Sequence, residues 1–233
     1  MLEFDILIDD FLYNVSPDEE IGYCKTEKIL SLTNDFENGD WRYSKFQSFI
    51  WDNISETALS FRERESLIDK GYNTLVESAK KLRLTDLEKD QTGQGSELAE
   101  IILYGVMKHH YHALPVVPKI FYKQNVQDNA KGSDSVHIVL ESDNDFSLWL
   151  GEAKFYNSIE DDRLGSVITS IENSLQLEKL KKENSIITNL SDLDGLLDKE
   201  SDVYKKIMDL LAKEKSIDDL KPKLHVPILL LYE

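Results

Sequence analysis

Asp134, Glu152 and Lys154 are charged residues set in two apolar stretches, 132–140 (Gly-Ser-Asp-Ser-Val-His-Ile-Val-Leu) and 148–155 (Leu-Trp-Leu-Gly-Glu-Ala-Lys-Phe). Both stretches read as neighbouring strands, along which side chains alternate faces with period two. Glu152 and Lys154 therefore project from one face, and Asp134 shares its face with Val136, Ile138 and Leu140. Charge on an apolar strand is costly unless it is satisfied. Two carboxylates at the ends of adjacent strands, with an ammonium beside them, meet that demand by sharing a divalent cation. Mg2+ or Mn2+ suits such a site, because hard cations prefer oxygen ligands. A bound ion neutralises phosphate and lowers the pKa of a water, while a lysine stabilises developing charge. This is the chemistry of phosphodiester hydrolysis. The backbone carbonyl of Ala153 is a further candidate ligand.

An acid-x-lysine triplet is a short signal in an acidic chain. It occurs twice, at Glu152-Ala153-Lys154 and at Asp219-Leu220-Lys221. The second precedes Pro222 in a polar connector, so only the first lies inside an apolar strand. An exposed ion pair on a half-buried strand is the plainer reading of the triplet taken alone. The preceding helix adds acids. Glu97 and Glu100 are three apart and lie on one helical face, opposite the stripe of Leu98, Ile102 and Val106. Glu97 is the first candidate for a helix ligand and Glu100 the second. Acids in a first helical turn are also favoured by the helix dipole.

These residues need a frame. Residues 41–67 and 72–84 carry apolar positions at helical spacing, separated by Gly71. The stretch 90–96 (Asp-Gln-Thr-Gly-Gln-Gly-Ser) is a loop, and its Ser96 is a good N-cap for a helix over 97–111. An extended segment, 116–122, follows Pro115. The polar turn 141–145 joins the two charged strands. A helix is expected over 158–182, then acidic helical bursts over 184–221. The apolar run 224–232 reads as a buried strand. From residue 95 onward the order is helix, three strands, helix, strand. Residues 1–90 read as a short strand and a helical layer outside a core formed by 91–233.

The chain has 233 residues, 41% of them hydrophobic and 9% aromatic, enough for a packed globule. Cys24 is the only cysteine, so no internal disulfide forms. No apolar run approaches the roughly 18 residues of a membrane span. The first ten residues carry acids where a secretory signal needs bases. A cytoplasmic protein without membrane contact is expected. The net charge of −17 opposes unaided binding to nucleic acid. One segment departs from it: between 108 and 131 stand Lys108, Lys119, Lys123 and Lys131, with His109, His110 and His112, against a single acid, Asp128. These lysines either contact phosphate beside the site or form a solvated face. The histidines are read as helix-end residues favoured by the dipole.

The residues Gly132-Ser-Asp134 and Glu152-Ala-Lys154, within this element order, resemble the PD-(D/E)xK nuclease superfamily. More narrowly, 95–104 (Gly-Ser-Glu-Leu-Ala-Glu-Ile-Ile-Leu-Tyr), 131–134 and 150–155 resemble the HamA family of nuclease subunits from the Hachiman anti-phage defence system. The resemblance implies an α/β fold with a restriction-endonuclease-like core, a mixed sheet flanked by helices. It implies a metal-dependent DNA endonuclease in a bacterial host, controlled by a superfamily 2 helicase subunit (HamB-like) and acting on double-stranded or damaged DNA. By that resemblance Asp134 and Glu152 match the metal-binding acids, Lys154 the catalytic lysine and Glu97 the helix acid, with Glu100 as second candidate. The chain has Ser133 where the superfamily label has proline. The competing expectation is a catalytically inert, nuclease-like adaptor that binds or restrains a helicase, with residues 1–90 as the partner surface.

Overall fold

In the computed structural model the described residues are 7–8, 32–33, 36–82, 97–120, 132–141, 144–156, 161–189, 192–212 and 215–232. The chain divides into two compact units, 1–51 and 52–233; the sequence reading drew its boundary at 90. In the first unit β1 (Leu7–Ile8) pairs with β2 (Leu32–Thr33), and β3 (Phe36–Glu37) with β4 (Asp40–Trp41), both antiparallel. Asn38 and Gly39 join the second pair with φ of 55° and 87°. A two-residue Asn-Gly loop with both φ positive matches the twist of a hairpin.

The reading of 41–67 as one helix is corrected. Two helices occur, α1 (Tyr43–Ala58) and α2 (Phe61–Ser66). Ser60 breaks the run by forming a capping box with Glu63: its side chain accepts from the Glu63 N–H at 3.3 Å, and the Glu63 carboxylate accepts from the Ser60 N–H at 3.0 Å. The next helix, α3 (Gly71–Lys81), begins one residue earlier than expected. Helix α2 belongs to the second unit. The Phe61 N–H donates to the buried Asp192 carboxylate, and a Cβ added at Gly195 would meet the Phe61 ring at 2.3 Å.

Helix α4 (Glu97–Tyr111) has the expected bounds; its expected cap, Ser96, lies outside the described residues. It stops where His112 turns left-handed, φ 51°, and the Ala113 N–H returns to the Met107 carbonyl at 3.0 Å. A mixed sheet follows: β5 (Leu114–Val117), β6 (Ser135–Glu141) and β7 (Asp145–Tyr156) are antiparallel neighbours. The expected single helix over 158–182 is two, α5 (Asp161–Ser174) and α6 (Leu177–Asn189). At the break the Ser174 hydroxyl turns back to the Ile171 carbonyl, 2.8 Å, and the Gln176 amide donates to the Asn173 side chain, 3.1 Å. Such local polar bonds compete with helix continuation. Short helices α7 (Asp192–Leu196), α8 (Asp202–Leu210) and α9 (Ile217–Leu220) realise the acidic bursts.

The last strand is also corrected. It is two pieces, β8 (Leu224–His225) and β9 (Ile228–Tyr232), both parallel to β7. Pro227 stands between them, and proline cannot donate to a ladder. Nor is it buried: Ile228 is 47% exposed. Among the described residues β9 pairs only with β7, which leaves its far edge open.

The sheet buries both faces. Val136, Ile138, Leu148 and Leu150 pack with Leu180 and Ile187 of α6, Leu193 of α7 and Ile207 of α8. The alternate residues, Trp149, Ala153 and Phe155, pack with Ala99, Leu103 and Met107 of α4. Among the described residues no helix is long and apolar enough to cross a membrane.

Candidate active site

Strand register sets the geometry of the site. Ser135 is registered with Gly151, and one step further the chain places Asp134 opposite Glu152. The Asp134 N–H donates to the Gly151 carbonyl at 2.8 Å, and its Oδ2 accepts from the Ala153 N–H at 3.1 Å. On its other edge β7 is held by β9: the Glu152 N–H donates to the Pro227 carbonyl at 3.0 Å, and Lys154 is registered with Leu230. Both acids and the lysine are thus fixed by a continuous ladder. Gly151 permits the close approach of β6 and α4. A Cβ there would lie 2.2 Å from Ser135 Oγ and 2.8 Å from Leu103 Cδ2.

Lys154 Nζ lies 2.5 Å from Glu152 Oε1, 3.3 Å from the Ala153 carbonyl oxygen and 3.5 Å from Asp134 Oδ2. Burial disfavours its charge, but the Asp134 carboxylate and the Glu152 hydrogen bond outweigh burial and hold the ammonium above the ordinary lysine value. Glu152 is nearly buried, while the side chains of Asp134 and Lys154 keep 16% and 20% of their surface open to solvent. One hard cation, the ammonium, therefore already stands among three oxygens of the kind that a divalent ion takes. Asp134, Glu152 and the Ala153 carbonyl fit Mg2+ or Mn2+, since Mg2+ is commonly held by one or two carboxylates and keeps several waters.

The helix acids arrive from another direction. Glu97 and Glu100 occupy the first turn of α4, which packs on the opposite face of the sheet from Glu152 and Lys154. Glu97 is half-buried and Glu100 buried. Burial, with the Glu100 charge adding to it, raises the Tyr104 phenol far above its usual value. Among the described residues no three His, Cys, Asp or Glu side chains form a group placed to hold a metal ion. Ala99 does share an apolar cluster with Ala153, so this helical turn lies over the middle of the Glu152–Lys154 segment.

The lysine segment is divided by burial. Lys119 is fully buried, with Nζ 2.6 and 2.7 Å from the two carboxylate oxygens of Glu183, so the expectation of a phosphate contact there is corrected. Lys108 is partly exposed and pairs with Glu56 at 2.9 Å. Lys123 and Lys131 lie outside the described residues. His137 faces away from Asp134, buried against the Tyr104 ring with centroids 4.5 Å apart.

Ser170 of α5 is a member of the site that the sequence reading missed. Its hydroxyl donates to Glu152 Oε1, the oxygen that also takes Lys154. No local spacing announces it, because a helix turn and a strand eighteen positions away meet only in the fold.

No curated protein and no solved structure matches the chain. The family model HamA matches residues 9–233, nearly the whole sequence. The chain belongs to the HamA family, that of a component of Hachiman anti-phage defence.

Proposed function

We propose that this chain is the metal-dependent DNA endonuclease of a Hachiman complex, a phosphodiesterase of the PD-(D/E)xK type. A superfamily 2 helicase subunit (HamB-like) would control it and deliver double-stranded or damaged DNA. The observation that carries this reading is the convergence of Asp134, Glu152 and the Ala153 carbonyl on one cation position, with Lys154 in it. Asp134, Glu152 and the Ala153 carbonyl would hold Mg2+ or Mn2+; among the described residues the helix acids Glu97 and Glu100, across the sheet, form no metal-holding group with them. The ion supplies charge neutralisation at the phosphate and a water of lowered pKa.

The chain's own groups do the rest. Ser170 fixes the rotamer of Glu152. Lys154, released from Glu152, turns its ammonium to the attacking water or a phosphate oxygen. Loss of a single preorganised donor of this kind costs about 10²- to 10³-fold in kcat. The net charge of −17 fits a nuclease that grips DNA poorly alone. Lys108, Lys123 and Lys131 remain proposed phosphate contacts. Residues 1–90 are proposed as the partner surface, supported by Ile68 and Tyr72, exposed at 78% and 80%.

The test is cleavage of intact and damaged duplex by chain and helicase together, with ATP and Mg2+ or Mn2+. Wild type should cut; Glu152→Ala and Lys154→Ala should not. Cleavage unchanged in both variants refutes the site, and an inert wild-type complex that still binds its helicase tightly favours the adaptor.

A further inference from the structure

The buried ion pair Lys119–Glu183 is unexplained by the chemistry of the site, and its position is informative. Glu183 sits on α6, 2% exposed, and Lys119 follows β5, wholly buried. A buried ion pair seldom adds stability over well-packed apolar groups of the same size, because both ions must leave water. Its retention calls for another role. Glu183 Oε1 accepts from the Ser133 N–H at 3.2 Å, one residue before Asp134. The carboxylate also presses on the residue before that, since a Cβ at Gly132 would come 1.7 Å from Glu183 Oε1. The Lys119 backbone is tied in turn: its N–H donates to the Tyr104 hydroxyl, 3.4 Å, and that hydroxyl donates to the Val117 carbonyl.

The turn 132–134 is thus gripped on two sides. Glu183 holds its entry, and the Gly151 carbonyl and the Ala153 N–H hold Asp134 at its exit. We infer that Glu183, neutralised by Lys119, is a positioning residue that sets where the Asp134 carboxylate stands. It does so from a helix 50 residues further along the chain than Ser133. A side chain at 132 would have to push that carboxylate aside. This inference rests on the metal-nuclease reading only for its consequence; the grip on the turn does not depend on a metal.

The test uses the full-length chain. Lys119→Met with Glu183→Leu replaces the pair by apolar groups and strands no charge inside the fold. The thermal midpoint should stay near that of wild type. Amide exchange over 132–134 should quicken about tenfold, and the Mn2+ Kd by calorimetry should rise about tenfold, the loss expected for one hydrogen bond to a charged acceptor. Lys119→Met with Glu183→Gln keeps a neutral acceptor oxygen for Ser133 and should restore both in part. Unchanged exchange and affinity in the Met/Leu variant overturn the inference. Should that variant fail to fold, Gly132→Ala decides, because it leaves both charges in place while driving a methyl into Glu183. It must shift exchange and affinity in the same direction, and no shift overturns the inference. A wild-type chain that takes up no Mn2+ defeats the metal reading instead, and exchange over 132–134 then judges the grip alone.

Discussion

Lys154 Nζ lies 2.5 Å from Glu152 Oε1, so the lysine occupies the cation position that its neighbouring acids define. Two residues apart on one face of β7, they neutralise each other in the folded chain. A divalent ion that takes Glu152 Oε1 displaces this ammonium. Lys154→Met should therefore bind Mn2+ as tightly as wild type or more tightly, while cleavage falls at least about 100-fold. Glu152→Ala should lose both. Calorimetry beside a cleavage assay separates the two variants, and weaker Mn2+ binding by Lys154→Met contradicts the displacement.

Ser170 acts only through Glu152. Ser170→Ala removes one charge-assisted hydrogen bond, worth about 1.5–3 kcal/mol, from a carboxylate that keeps Lys154. The chain should still fold, its thermal midpoint lowered by about 2–4 °C for each kcal/mol lost. kcat should fall about tenfold, with KM for DNA unchanged. Equal kcat in the two proteins would remove Ser170 from the site.

Gly151→Ala tests the ladder that aligns Asp134 with Glu152. Its methyl would meet Ser135 Oγ at 2.2 Å, Leu103 Cδ2 at 2.8 Å and Pro227 Cγ at 3.3 Å. Overpacking of this kind costs about 1–3 kcal/mol. Thermal unfolding should show a clear drop in midpoint, and activity should fall with it because β6, β7 and β9 are spread together.

His137 predicts an acid limb in stability. It is buried, its ring nitrogens have no hydrogen-bond partner among the described residues, and burial lowers its pKa to about 3. Below the ordinary value of about 6.5 the unfolded chain takes a proton that the folded chain refuses, so stability falls as pH drops from there towards 3. The loss approaches about 1.4 kcal/mol per pH unit. His137→Phe, which keeps a ring against Tyr104, should flatten that limb in urea titrations at pH 7 and pH 5. An unaltered slope would show that other groups set it.

Much of the frame was legible in the sequence. The helix at 97–111 and the two charged strands stood out because apolar periodicity there is strong and the strand acids interrupt it. The break at Ser60 was also readable, since Ser60 and Glu63 carry the capping-box spacing, and Asn38-Gly39 is a hairpin signal in its own right. Other features were hidden for physical reasons. Ser170, Lys119 and Glu183 reach the site through contacts between distant segments, and Glu183 lies in a charged run that reads as a solvated helix end. The run 224–232 is apolar enough for a buried strand, yet burial depends on neighbours on both edges, and those are decided by the whole sheet.

The most direct measurement is anomalous diffraction from crystals of the chain equilibrated with millimolar Mn2+. A peak bound by Asp134, Glu152 and the Ala153 carbonyl is expected, with the Lys154 ammonium moved off Glu152. Density showing Lys154 still on Glu152, and no ion between the two acids, would contradict it.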